Sequence, residues 1–205
     1  MNKFLIIDDR AERKKTLLNE KEILSLDAFE RQGILSMRTS LEFKNMPPSK
    51  DDIDEAINGY SVIAIHRSWL VENDLINDFE EYMSKDNSDK IFIIFSGGTT
   101  TTGLTNNYKS LYINAGNFYT PKLIEFIENN KEDNNTNLLK FLYGNSWRLP
   151  LLLEYRNLLW SGRESTDIEK EEFLRTLIYS SKYDILSLDY INDEIEKEKL
   201  NYSQL

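Results

Sequence analysis

Polar residues that could do chemistry directly follow three uninterrupted apolar runs of the sequence. In chain order they are Asp8 and Asp9, then His66, Arg67 and Ser68, then Ser96, Gly97 and Gly98. Paired carboxylates can hold Mg²⁺ through their oxygens, and a histidine can act as a general base. Glycines let backbone N–H groups approach an anion closely. These residue types therefore offer metal binding, acid–base chemistry and anion binding.

The apolar runs themselves predict the elements that position these residues. The runs cover Phe4–Ile7, 62–65 and 91–95, and each is β-branched or aromatic with polar neighbours. Such runs are typical of strands buried on both faces of a parallel sheet. Weaker runs at 111–113 and 33–37 bring the predicted strands to five. Because ligands bind beyond the carboxyl ends of such strands, the polar residues are expected to meet at one edge.

Segments with helical periodicity separate the predicted strands. Apolar residues recur at helical spacing over 71–84 and 121–129, less regularly over 11–30, and briefly over 51–58. Strands that alternate with helices predict an α/β fold. We expect a doubly wound, mostly parallel sheet of five strands.

An Asn-rich stretch without apolar residues divides the chain. We expect an α/β domain over residues 1–130, a linker over 131–136 and a small all-helical module over 137–205. The helices predicted for the module cover 137–144, 147–161, a segment that starts with a capping box at 166–169, and 189–199.

The composition excludes several classes of site. The 205 residues include no Cys and one His, which excludes disulfides, thiol catalysis and metal centres with two or more histidines. With 35 acidic and 25 basic residues the net charge is −10, and no basic block of the kind that binds nucleic acid is present. The densest basic cluster is interpreted as a solvated helix face. It contains Arg10, Arg13, Lys14 and Lys15.

The sequence also predicts where the protein works. The apolar run near the N-terminus is too short for a signal peptide, and no stretch reaches the roughly 18 apolar residues that span a bilayer. We expect a cytoplasmic protein without a membrane segment. The many Asn, Ile and Lys residues indicate an AT-rich, bacterial genome.

The predicted helical module carries more apolar side chains than one helix face can hide. Its aromatic and Arg residues are of the types enriched at interface hot spots, although an internal core would use them equally well. The candidates for docking a protein partner are Trp147, Arg148, Tyr155, Arg156 and Trp160.

The loop after the third apolar run, SGGTTTTG, is the most unusual in the chain. Its glycines and hydroxyls could cradle a phosphate group, but the Gly-Lys-Ser/Thr of a P-loop is missing. A ligand site, a surface loop and a partner contact therefore stay open. The candidate ligand-binding residues are Ser68, Ser96, Gly97, Gly98 and Thr99.

The order of these elements over residues 1–130 resembles a response-regulator receiver domain. The segment FLIIDDRAERKKTLL resembles its opening, with a buried strand, an acidic pair and an amphipathic helix. Ser96 after IFIIF resembles the Ser or Thr that ends the fourth strand of that family. Pro121, in Tyr-Thr-Pro before a helix, resembles the proline of the family's Lys-Pro.

The departures from the family's pattern determine the expected function. The family's phosphoacceptor aspartate corresponds to His66, and no acidic residue occurs between Tyr60 and Val71. The family's lysine is also missing, because its candidate positions hold Asn114 and Thr120. The resemblance therefore implies a pseudo-receiver, which is a receiver-like domain without aspartyl phosphorylation. Such a protein is expected to be a non-catalytic regulator or adaptor of signal transduction. It would bind a protein partner and need no cofactor.

Alternatives remain for individual residues. Asp8 and Asp9 could keep Mg²⁺ although the third carboxylate is gone, or Asp9 could cap the helix that starts near Arg10. His66 could be a general base or phosphoacceptor, or a neutral imidazole bonded at a strand end. A second function therefore stays open, namely an enzyme that binds a phosphorylated ligand or hydrolyses it. In that case the SGGTTTTG loop would bind the ligand near Asp8, Asp9 and His66. The catalytic residues would be His66 and Ser96.

Overall fold

The computed structural model describes residues 1–10, 12–84, 90–100, 102–105, 108–132, 136–160, 173–175, 177–178 and 187–202. The chain forms two compact units, Met1–Phe141 and Leu142–Leu205. The first unit is α/β with a mostly parallel sheet, which confirms this part of the predicted fold. Residues 137–141 belong to the first unit because Phe141 packs on Phe118 and Phe126, with ring centroids 6.1 and 5.4 Å away.

The sheet has six strands rather than five. They are β1 (Phe4–Ile7), β2 (Leu35–Arg38), β3 (Val62–His66), β4 (Ile91–Ser96), β5 (Gly103–Thr105) and β6 (Ser110–Asn114). Their order in the sheet is β2-β1-β3-β4-β6-β5, and only the β5–β6 pair is antiparallel. The strand that the sequence did not predict is β5. It begins at the last glycine of the SGGTTTTG loop, and its three residues form no apolar run.

Ten α-helices have defined bounds, and the described residues within 173–178 are helical as well. They are α1 (Arg13–Leu17), α2 (Glu20–Arg31), α3 (Lys50–Ala56), α4 (Arg67–Glu72), α5 (Ile76–Ser84), α6 (Ala115–Phe118), α7 (Pro121–Asn130), α8 (Leu138–Tyr143), α9 (Arg148–Trp160) and α10 (Leu188–Tyr202). The single helix predicted over 11–30 is two helices, because Asn19 and Glu22 form a capping box that starts a new one. The helix predicted over 71–84 is also interrupted, at Asp74, whose φ of 56° is left-handed.

Both faces of the central strands are buried, which explains their uninterrupted apolar sequences. One face packs in a single core with α3, α4 and α5, and its strand residues are Leu5, Ile7, Ile63, Ile65, Phe92 and Ile94. On the other face, Phe4 meets Phe126 of α7 edge to face at 5.9 Å. Phe95 stacks on Phe118 of α6 at 4.3 Å. Polar side chains are therefore confined to the strand ends, which is where the candidate site lies.

The second unit contains α9 and α10, which match the helices predicted over 147–161 and 189–199. Arg148 joins them through Glu194 and Glu198, with N–O distances of 3.4 and 3.3 Å. The capping box predicted at 166–169 lies outside the described residues, as do 133–135 of the predicted linker. Within the described ranges, no helix has both the length and the apolar character that a bilayer crossing requires.

Candidate functional site

The carboxyl ends of four neighbouring strands bring the sequence-predicted residues to one edge of the sheet. Asp8 directly follows β1, His66 ends β3, Ser96 ends β4 and Asn114 ends β6. Ser96 and Asn114 are direct partners in the parallel pairing of β4 and β6. The carboxylates and the histidine form one cluster, in which ligand atoms of Asp8, Asp9 and His66 lie within 4.8 Å of one another.

Both carboxylate oxygens of Asp8 are occupied by groups of the protein. The side chain is 4% exposed. The Arg13 guanidinium and the backbone N–H of Arg10 both donate to Oδ1, the latter at 3.0 Å. The hydroxyl of Tyr119 donates to Oδ2 at 2.8 Å in a buried hydrogen bond. The charge of Asp8 is therefore balanced and its hydrogen bonds are supplied from within the domain.

Asp9 does not cap a helix, contrary to one of its two interpretations. The first helix begins at Arg13, and the cap position before it is Glu12. Instead, the Ser68 hydroxyl donates to Oδ2 of Asp9 at 3.0 Å. Burial opposes the ionisation of Asp9, but the Ser68 hydrogen bond and the nearby His66 and Arg13 outweigh it and lower the pKa of this carboxyl. Asp9 is thus held as an anion.

His66 is a buried residue that links β3 to α4. Its Nδ1 accepts a hydrogen bond from the backbone N–H of Ser68 at 3.2 Å and so caps α4, as expected for an imidazole bonded at a strand end. The same Nδ1 lies 2.9 Å from Oδ1 of Asp9, and it also contacts the Ser68 hydroxyl. Burial lowers the pKa of His66, and repulsion from Arg13 lowers it further. The neutral ring is therefore the favoured form at neutral pH.

Arg13 is the main site residue that the sequence interpretation missed. Its side chain is 14% exposed, so the interpretation of the basic cluster as a solvated face is wrong at this position. Besides its bond to Asp8, the guanidinium Nη1 lies 3.6 Å from Oδ1 of Asp9. Asp9 and Arg13 are four residues apart. This acid–arginine spacing is a favourable pair only within one helix, and Asp9 lies before the helix that begins at Arg13, so the spacing gave no signal of the contact.

Tyr119 is the second missed residue, and aromatic packing positions it. It is 1% exposed, and its ring meets Phe95 and Phe118 edge to face at 5.6 and 4.9 Å. Burial raises the pKa of Tyr119, and the neighbouring Asp8 carboxylate raises it further. The phenol is therefore a permanent hydrogen-bond donor to Asp8. Its local sequence gave no signal of this contact, which joins residues 111 positions apart.

The start of the SGGTTTTG loop is closed by its own hydrogen bonds. The backbone N–H groups of Gly98 and Thr99 donate to the Oγ and O atoms of Ser96, each at 3.3 Å. The side-chain amide of Asn114 donates to the carbonyls of Gly97 and Thr99 at 3.2 and 2.8 Å. Two N–H groups that could cradle a phosphate are thus already engaged. The ligand-binding role of this loop stays a prediction.

The arrangement of charges also determines whether a metal ion fits. In the receiver family, the acidic pair would hold Mg²⁺ together with a third carboxylate, and here the third position is His66. The guanidinium of Arg13 already lies against both Asp8 and Asp9. Mg²⁺ would have to displace that guanidinium, because like charges cannot share the position and hard cations need free carboxylate oxygens. Arg13 therefore opposes Mg²⁺ binding, although Oδ1 of Asp9 accepts no hydrogen bond from the described residues. Mg²⁺ at the acidic pair stays a prediction.

No protein-family model, curated protein or solved structure matches this chain. The chemistry of the site therefore has to be inferred from its own geometry. That geometry shows a buried cluster of two carboxylates and one neutral imidazole, in which one guanidinium balances one of the two negative charges.

The predicted docking residues lie in the second unit and differ in exposure. Tyr155 is fully buried, and Arg148 is half-buried and bonded to two glutamates of α10. Trp147 and Arg156 are also half-buried. The side chain of Trp160 lies outside the described residues. Partner docking by this set stays a prediction.

Mild acid is expected to destabilise the fold through His66. On unfolding, the pKa of this ring returns from its lowered value to about 6.5. The unfolded chain therefore takes up a proton below pH 6.5 before the folded chain does, so stability is lost as the pH falls below this value. The loss is about 1.4 kcal/mol for each pH unit that separates the two pKa values. Urea unfolding at about pH 7.5 and about pH 5.5 measures it.

The matched variant for this experiment is His66→Asn. An asparagine oxygen can still accept from the N–H of Ser68, but it does not titrate. We expect the variant to lose part of the stability difference between the two pH values. An unchanged pH dependence in the variant would show that His66 is not its source.

Proposed function

We propose that this chain is a non-catalytic regulatory or adaptor protein of signal transduction, built on a receiver-like domain that is not phosphorylated. The strand order supports the receiver-like part. Without the antiparallel β5, the order β2-β1-β3-β4-β6 corresponds to the 2-1-3-4-5 order of flavodoxin-like sheets, a class that includes receiver domains. The acidic pair also follows β1, next to the topological switch point between β1 and β3, where proteins of that class bind their ligands.

The observation that carries the proposal is the contact between Arg13 and the acidic pair. A phosphorylated receiver needs a metal at the acidic pair and a carboxylate acceptor at the end of β3. In this chain the Arg13 guanidinium lies against both carboxylates of the acidic pair. The acceptor position holds His66, whose Nδ1 is engaged with Ser68 and Asp9. Both requirements of phosphoryl transfer are therefore replaced by internal contacts.

The same contacts disfavour the hydrolytic alternative. In a nucleophilic triad, the imidazole lies between the nucleophile and the carboxylate and uses one ring nitrogen for each. Here Ser68 and Asp9 both face Nδ1 of His66, and Ser68 donates directly to Asp9. The ring therefore cannot pass a proton from one to the other. The Oγ and O atoms of Ser96 accept hydrogen bonds from the backbone N–H groups of Gly98 and Thr99 in its own loop.

Acetyl phosphate with Mg²⁺ tests the proposal. We expect intact-mass spectrometry to detect no phosphorylated species, because the acceptor position holds His66 and the Arg13 guanidinium lies against the acidic pair. A phosphorylatable receiver domain treated in the same reaction is the positive control. Stable label on Asp8 or Asp9 would contradict the proposal. So would acid-labile label that disappears in His66→Asn, because it would identify the histidine as an acceptor.

The adaptor role requires a protein partner. We expect the full chain, purified at its native level of expression, to elute in a complex of defined stoichiometry with another protein. Elution as an isolated chain under gentle conditions, together with turnover of any phosphate ester, would favour the enzymatic alternative.

A further inference from the structure

A groove of about 730 Å³ lies along β2, lined by residues other than those of the carboxyl-edge cluster. Its lining includes Lys3, Ser36, Arg38, Phe43 and Tyr60. Binding sites for small molecules typically occupy about 300–1,000 Å³. The groove is therefore large enough for a small organic ligand.

The groove is lined by the edge strand β2 and by Asp52, Glu55 and Ala56 of α3. Ser36 and Arg38 of β2 align with Leu5 and Ile7 of β1, which are completely buried. In the same core, α3 contributes Ile53, and Ile57 directly follows the helix. Yet Ser36 is half-buried and Arg38 is exposed. The edge strand thus carries polar side chains on a sheet face that is otherwise apolar.

Arg38 is positioned in the groove by neutral groups. Its Nη2 donates to the Tyr60 hydroxyl at 2.9 Å, and its Nε donates to Ser36 Oγ at 3.3 Å. The guanidinium carbon lies 5.6 Å from the centre of the Tyr60 ring. These contacts fix the planar group without neutralising its charge, and its remaining N–H donors match a carboxylate or phosphate.

The carboxylates that line the groove do not pair with Arg38. Glu55 pairs with Lys44 at 2.6 Å. Asp52 accepts hydrogen bonds from Ser49 and from the Asn45 amide. Within the described residues, no ion pair joins Arg38 or Lys3 to any carboxylate. The groove therefore holds a fixed guanidinium that is available to an anion.

We propose that the groove binds a small organic anion with a planar ring. Its carboxylate or phosphate group pairs with Arg38, and the ring packs on Phe43 and Tyr60, since aromatic walls give such ligands most of their buried apolar area. Glu42 and the ionised Asp52 also line the groove, and both repel an anion. The groove contains no residue of the carboxyl-edge cluster, although the backbone N–H of Asp8 donates to the carbonyl of Arg38 at 2.9 Å. The proposal does not depend on the proposed function.

Titration of the labelled full chain with phenyl phosphate, benzoate and inorganic phosphate tests the site by NMR. We expect millimolar phenyl phosphate or benzoate to shift the amide signals of Ser36, Arg38 and Tyr60 saturably. Inorganic phosphate should bind more weakly, because it lacks the ring. Arg38→Gln should weaken binding about tenfold or more, since a charged hydrogen-bonding partner is lost. Glu42→Gln should strengthen it.

Lys15→Gln is the matched control, because Lys15 is an exposed cation on α1. We expect it to bind the aromatic probes as the wild type does. The proposal is overturned if no probe shifts these signals at millimolar concentration, or if Arg38→Gln and Lys15→Gln weaken binding equally. It is also overturned if the saturable shifts map to Ser96, Gly97 and Gly98 instead.

Discussion

Replacing Arg13 by alanine is expected to lower the free energy of unfolding by about 3 kcal/mol or more. The guanidinium bonds to Asp8, which is 4% exposed, and lies 3.6 Å from Asp9. Removing one partner of a buried ion pair costs about 3–5 kcal/mol, because the remaining charge stays buried without compensation. In Arg13→Ala, two neighbouring carboxylates would lose their shared cation. Urea denaturation at neutral pH measures the loss.

Lys15→Ala is the control for this prediction. Lys15 lies on the same short helix and pairs with Glu12 at 3.1 Å, but its side chain is 60% exposed. Exposed pairs contribute about 0–1 kcal/mol, so this variant should stay close to the wild type. Equal stability of Arg13→Ala and Lys15→Ala would show that the buried contact is not the source of the effect.

Tyr119→Phe is expected to cost about 1–3 kcal/mol, the penalty for leaving a buried polar group without its hydrogen-bond partner. The substitution removes only the hydroxyl that donates to Oδ2 of Asp8 at 2.8 Å. The ring keeps its edge-to-face contacts with Phe95 and Phe118. No cavity of the size of a side chain is therefore created, and the loss reports on the hydrogen bond.

Tyr143→Phe supplies the comparison, since Tyr143 is 48% exposed. Surface changes of this kind typically alter stability by no more than about 0.5 kcal/mol. The interpretation of Tyr119 would be wrong if thermal or urea unfolding found the two variants equally stable.

The sequence predicted the centre of the sheet well, because strands that are buried on both faces have apolar residues at consecutive positions. The strands β1, β3 and β4 are uninterrupted apolar runs that end at polar residues. β5 was not predicted, because an edge strand of three residues needs no apolar run. The two split helices were missed because apolar periodicity continues across a break, and only the cap at Asn19 and the left-handed Asp74 mark the interruptions.

The candidate site was predicted in part. Asp8, Asp9, His66 and Ser68 follow apolar runs, so their meeting at the carboxyl edge could be expected from the sheet. Arg13 could not be assigned, because a cluster of four basic residues is usually solvated, and only the fold shows that Arg13 and Lys14 are mostly buried. Tyr119 reaches Asp8 from the far end of the domain sequence. A contact of that range depends on strand order, which local patterns do not specify.

The central claim is that an internal guanidinium takes the place that a bound metal occupies in receiver domains. Titration of the wild type and of Arg13→Ala with Mg²⁺, followed by NMR of the Asp8 and Asp9 amides, tests it most directly. We predict no saturable response from the wild type at millimolar Mg²⁺. In Arg13→Ala we predict a saturable response with partial recovery of stability, because the freed carboxylates then have a cation to bind. Saturable shifts of both amides in the wild type would contradict the claim.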